Sequence, residues 1–179
     1  PGMQVNYLIA RVDTTGVIAE ADEGNNSLPL PHSGWPPSIW GASSRQMSAG
    51  GPKIIEPSVH MYALQKLDFN GTKFGVENPF REPGDVLSIA KTTVNGQVLK
   101  RSGNKIKLDN VVVGTVTGGK QDEPLELIFN QNSDTLVINS VMKNTTLKTK
   151  NSQTGLRKIR FTFSDGNTST AHFVNLTVV

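Results

Sequence analysis

Near the end of the chain an acid, a glycine and an amide stand together, Asp165-Gly166-Asn167, and a second acid and amide, Asp68 and Asn70, precede Gly71. Oxygen-bearing side chains in loops could hold calcium, a hard cation that takes six to eight oxygens, usually with several carboxylates among them. The same residues also build hairpin turns, because Asp and Asn bond their own backbone and tolerate left-handed geometry. Other chemistry is thinly represented. His32, His60 and His172 are far apart and show no metal-ligand spacing. There is no cysteine, so disulfides and thiolate metal sites are unavailable. A G-x-S-x-G elbow for a seryl nucleophile is missing. Glu20 and Glu23 would lie side by side only on a helix, and their segment reads as strand end and turn, a solvated rim rather than a glycosidase pair. The stretch "GTVTGGK" lacks the spacing of a phosphate-binding loop.

Aromatic residues offer a different chemistry. Trp35 and Trp40 lie in a proline-rich stretch, with Tyr62 not far beyond. Rings of this kind either stack on a sugar or a peptide, or pin a connector onto the domain beside it; tryptophan's general tendency to be buried favours pinning. The net charge is +3, and the densest basic cluster, "KRSGNKIK", falls on a hairpin turn and a strand face without aromatic residues interleaved. That pattern fits an exposed strand face better than a nucleic-acid surface. No run approaches the ~18 apolar residues of a membrane-spanning helix.

The elements that must position these residues are strands. Asn, Thr, Ser, Gly and Val are plentiful and charged residues make up only 18%, a palette that suits β-structure with polar loops. Residues 4–21 read as a hairpin: Val5, Tyr7 and Ile9 alternate with Asn6, Leu8 and Ala10, "TTG" turns the chain, and "VIAEAD" returns it. Two strands alone bury too little to be stable, so the hairpin is expected to pair with another sheet. Residues 28–53 are rich in proline and glycine and read as an ordered, extended connector. From Ile54 onward short strands are punctuated by turns at Asn70-Gly71, Asn95-Gly96, Ser102-Gly103 and Asp109-Asn110. Leu136, Val137, Val141 and Met142 lie near helical spacing, and Ser133 or Asp134 can cap, so a helix of about two turns is expected there. In "LRKIRFTFSD", Ile159, Phe161 and Phe163 share one face; Val174, Leu176 and Val178 do the same in the last strand. The whole predicts an all-β sandwich, with one short helix, over residues 54–179.

Four ordered blocks carry a family resemblance over about 120 residues. They are "PSVHMYALQKLDFNGTKFGV", "LSIAKTTVNGQVLKRSGNKIKLDNVVVGTVTGG", "PLELIFNQNSDTLVINSVMKNTTL" and "RKIRFTFSDGNTST". In order and spacing they resemble the cadherin-like, immunoglobulin-like repeats of very large bacterial surface and secreted proteins. Residues 1–27, with "YLIARVDTTGVIAEADEGNN", resemble the end of a bacterial CARDB-type adhesion domain. Both resemblances imply an immunoglobulin-like β-sandwich, an extracellular or cell-surface location, and an adhesive or scaffolding role without catalysis. The implied partners are neighbouring domains or subunits of the same surface protein, with residue 1 expected to lie inside a longer precursor. Where those repeats carry acids, this chain has Ala63, Leu64 and Gln65, and the closing hairpin has Asn167 where they have a second acid. The loss of carboxylates favours a plain turn over a calcium site at Asp165, and no cofactor is expected. A carbohydrate-binding module built on Trp35 and Trp40 is the alternative. Sequons at Asn25, Asn70, Asn144, Asn167 and Asn175 would matter only in a eukaryotic secretory pathway.

Overall fold

A computed structural model describes residues 7–11, 27–31, 37–62, 68–80, 82–120, 123–150 and 153–179. Contacts divide the chain into two units, Pro1–Trp35 and Pro36–Val179. In the first, β1 (Tyr7–Arg11) pairs antiparallel with β2 (Ser27–Pro31), with Ile9 opposite Pro29 and Leu8 opposite Leu30. The expected "TTG" turn and its "VIAEAD" return lie outside the described residues. The partner seen for β1 is instead a stretch assigned from its composition to the connector. Proline has no N–H to give, so within a sheet its nitrogen faces away from the neighbouring strand. Pro29 and Pro31 share one parity of β2, which leaves Leu28 and Leu30 to exchange bonds with Ala10 and Leu8.

The second unit is an all-β sandwich with one short helix. Its larger sheet has nine strands in the order β4-β16-β15-β7-β13-β12-β11-β10-β9. In chain order these are β4 (Ser44–Met47), β7 (Lys73–Glu77), β9 (Thr92–Val94), β10 (Gln97–Ser102), β11 (Lys105–Leu108), β12 (Val111–Gly118), β13 (Leu125–Phe129), β15 (Gly155–Ser164) and β16 (Ser169–Val178). Two smaller sheets complete the unit. One pairs β3 (Ser38–Trp40) with β6 (His60–Tyr62); the other runs β5 (Lys53–Ile54), β14 (Thr145–Lys148), β8 (Val86–Ile89). All pairs are antiparallel except β4 with β16, which run parallel from Ser44↔Asn175 to Met47↔Val178.

Two strands of this unit, β3 and β4, come from the stretch with connector composition. Extension there is as expected, but Ile39 and Met47 are buried in the main core. Short strands in a Pro/Ser-rich background carry too few apolar residues to show a period. Arg45 ties β4 down by donating from Nη1 to the carbonyls of Ile54 and Ile55, both at 3.2 Å.

Alternation fixes the core. Ile159, Phe161 and Phe163 of β15 share one sheet face with Val174, Leu176 and Val178 of β16 and Phe74 and Val76 of β7, all buried. Phe74 and Phe161 stack at 6.0 Å between ring centroids. Leu87, Ile89, Leu147, Ile39 and Met61 close the same core from the smaller sheets. Turns fall where glycine and amides stand. Asn95 (φ 48) and Gly96 (φ 84) join β9 to β10 with both residues left-handed, the type I′ geometry that matches strand twist. Helix α1 (Thr135–Lys143) starts on Asp134, whose Oδ1 accepts from the Val137 N–H at 2.7 Å. It buries Val137, Ile138, Val141 and Met142 while Leu136 points to solvent, so its inner stripe includes Ile138 in place of Leu136.

Candidate functional site

The acid–amide turns come first. Lys73 pairs with both Ser164 and Ile128, so the turns bearing Asp68, Asn70, Asp165 and Asn167 open at the same end of the large sheet. Each acid is engaged by its own turn. Asp165 Oδ1 accepts from the N–H groups of Asn167 (2.9 Å) and Thr168 (2.8 Å), and from the Thr168 hydroxyl at 3.2 Å. Asp68 Oδ1 accepts from the Asn70 N–H at 2.8 Å. Asn130 Oδ1 likewise takes the Asn132 N–H of its own turn at 3.0 Å, whereas Asp109 Oδ1 reaches across to the Val98 N–H of β10 at 2.8 Å. Among the described residues, no three His, Asp or Glu side chains group so as to hold a metal ion. Ala63, Leu64 and Gln65 lie outside the described residues.

The aromatic residues make a second arrangement. In the β3–β6 pair Trp40 stands opposite His60, and Ser38 opposite Tyr62. Ile39 and Met61 take the inward positions, which turns Ser38, Trp40, His60 and Tyr62 outward together. Trp40 is 61% exposed and Tyr62 55%. They are diagonal neighbours across the pair, a relation that places backbones roughly 7–8 Å apart and within reach of aromatic side chains. Trp40 Nε1 donates to Ser38 Oγ at 3.0 Å, and His60 Nδ1 donates to the Ser58 carbonyl at 2.8 Å. Trp40 therefore does not pin the segment by burying its ring; Ile39 does that from the opposite face. Trp35 lies outside the described residues, as do His32, Glu20 and Glu23. His172 belongs to a different sheet from His60 and meets the Ala42 carbonyl at 3.1 Å.

A third group was missed by the sequence reading. Arg157 is 1% exposed, on the same parity of β15 as Ile159, Phe161 and Phe163. Its Nε donates to Asp85 Oδ2 at 2.7 Å, and both side chains are buried. Asp85 and Asn78 come from the loop joining β7 to β8, and Gln153 from the loop before β15. Asn78 Nδ2 and the Glu82 N–H also reach Asp85 Oδ2, at 3.3 and 3.2 Å, while Gln153 Nε2 donates to the Pro83 carbonyl at 3.1 Å. Extending the alternation two residues back from Ile159 would have found Arg157 facing the core, and with it the need for a buried acid.

The outer face of the large sheet carries Lys158, Arg160 and Phe173. Arg160 Nη1 bonds Glu77 Oε1 at 2.8 Å, and both cations approach the Phe173 ring, at 5.1 and 5.9 Å. No helix among the described residues is long and apolar enough to cross a membrane. Comparison of the chain with protein-family models, curated proteins and solved structures gave no match.

Proposed function

We propose that this chain is a non-catalytic, extracellular structural and adhesive module, part of a large surface protein or surface filament of the cadherin-like, immunoglobulin-like kind. One observation carries the reading: the loop carboxylates that could do chemistry, Asp68 and Asp165, accept bonds from groups of their own turns, Asp165 three of them. A chain so constructed spends its polar side chains on holding its shape. Partners are then neighbouring domains or subunits, met through sheet edges and outer faces.

The β1–β2 pair is the element that supports assembly. Two strands need a further sheet to be stable, and strand addition between subunits supplies one through main-chain bonds. The prolines of β2 make its outer edge poor in donors, so pairing is expected along β1. By the register, the Ile9 N–H faces away from β2. Ile9→Pro removes that donor without taking a bond from the β1–β2 pair, and is expected to abolish self-association measured by light scattering. Association unchanged by Ile9→Pro would contradict the assignment of β1.

The outward face of β3–β6 favours a second reading, a carbohydrate-binding ledge. Trp40 and Tyr62 offer exposed rings at diagonal positions of one face, with Ser38 and His60 on the same face. Sugar binding here predicts that a panel of soluble oligosaccharides quenches tryptophan fluorescence and that Trp40→Ala removes the response. A flat titration with every oligosaccharide would remove this reading.

A further inference from the structure

Where the β7–β8 loop meets the loop before β15, four polar atoms of the described residues are buried and have no hydrogen-bond partner among them: Asn78 Oδ1, Asp85 Oδ1, Gln153 Oε1 and Arg157 Nη2. Their orientations are fixed by the bonds their other ends make. Turning the Asn78 amide over would set its oxygen against Asp85 Oδ2, which its Nδ2 now meets at 3.3 Å. Turning Gln153 over would set its oxygen against the Pro83 carbonyl, which its Nε2 meets at 3.1 Å. Both amide oxygens are therefore true acceptors. Asp85 is lopsided: Oδ2 accepts from Arg157 Nε, Asn78 Nδ2 and the Glu82 N–H, and Oδ1 from nothing. Arg157 meets Asp85 through one nitrogen rather than two, which leaves Nη2 and Oδ1 beside the same bond.

This inventory is three acceptors and one donor group, all buried, in a place reached by two loops and one strand. A buried polar group costs free energy when it lacks a partner, and an ionised one costs more. The occupant that fits must both donate and accept. A metal cation would suit the oxygens but would face the Arg157 guanidinium. An anion would suit the guanidinium but would face three oxygens. Water satisfies both, and buried waters in proteins make two to four bonds to polar groups otherwise left unmade.

We propose that the junction of Asn78, Asp85, Gln153 and Arg157 is an internal water-binding site. A water there accepts from Arg157 Nη2 and donates to Asp85 Oδ1, with its second hydrogen for an amide oxygen. The water completes a lock that joins both loops to the first half of β15. The site stands apart from the module's outer surfaces and does not depend on the function proposed above.

The test is water-to-protein cross-relaxation by NMR on the full chain. Long-residence cross-peaks are expected from water to the Arg157 guanidinium protons and the Asn78 side-chain amide. The cross-peak at the Asn78 amide should be lost in Arg157→Lys, which keeps the charge but lacks the Nη2 donor that holds the water, while the unfolding transition remains cooperative. Absence of these cross-peaks in the unsubstituted chain would overturn the proposal. So would resonance shifts at Asn78 and Gln153 on adding sodium or calcium chloride that are confined to this junction, which would make the occupant a cation. A high-resolution crystal structure gives an independent reading: an ordered water within bonding distance of Arg157 Nη2 and Asp85 Oδ1 is expected, and direct contact between those two atoms would contradict it.

Discussion

A buried arginine has to be held by an acid, and Asp85 holds Arg157 with an Nε to Oδ2 distance of 2.7 Å. Breaking such a pair from one side strands a charge, which costs about 3–5 kcal/mol, whereas replacing both partners by apolar residues is often close to neutral. Arg157→Met is therefore expected to lower unfolding stability in urea by about 3–5 kcal/mol. The double variant Asp85→Leu/Arg157→Met should recover most of the loss. Equal losses in the single and double variants would show that the pair is not coupled. At Asp165 the account is one of turn closure. Asp165→Ala removes a charged acceptor of three bonds and is expected to cost about 1.5–3 kcal/mol, by the same amount with calcium or with chelator. A melting temperature that rises with calcium in the native chain but not in Asp165→Ala would instead make this turn a metal site. The turn residues were legible because Asp, Asn and Gly carry their backbone preferences wherever they stand. Arg157 was not, because a charged residue on a core parity reads as a strand end until its partner, 72 positions away, is known.

At the scale of elements, α1 has a role its sequence does not announce. Asn139 Oδ1 accepts from the Met61 N–H at 2.6 Å, and Asn139 Nδ2 donates to the Met61 carbonyl at 3.2 Å. One side-chain amide thus meets both backbone groups of a β6 residue, as a neighbouring strand would, and blunts that edge of the small sheet. Asn139→Leu keeps the helix but leaves the Met61 backbone unpaired, so a loss of about 1–3 kcal/mol in chemical denaturation is expected. Faster hydrogen exchange at the Met61 amide should accompany it; unchanged exchange there would contradict the edge role. The helix itself was legible from its cap and apolar spacing. The long strands β15 and β16 were legible from alternation, which ten residues each make plain. Strands β3 and β4 were not, since three or four residues among prolines and serines show no period. Their strand character comes from partners elsewhere in the chain, Tyr62 for Ser38 and Asn175 for Ser44.

Across the whole molecule, the second unit closes by laying one of its first strands, β4, parallel to its last, β16. Pairing residues 44 and 175 demands a long loop closure before any reward, which places folding in the slow, millisecond-to-second range of sandwiches. The outer strands of the large sheet are short, four residues in β4 and three in β9. Short edges limit unwanted pairing. The all-β class was legible from composition and turn spacing; the pairing of Tyr7–Arg11 with Ser27–Pro31 was not, because prolines argue against a strand unless it lies at an edge. The most direct test of the strand-addition account is the molar mass of the full chain by light scattering over a range of concentrations, with calcium and then with chelator, beside Ile9→Pro. The account predicts association that grows with concentration, ignores calcium and disappears in Ile9→Pro. A native chain that stays monomeric at every concentration, or an assembly that chelator dissolves, would contradict it.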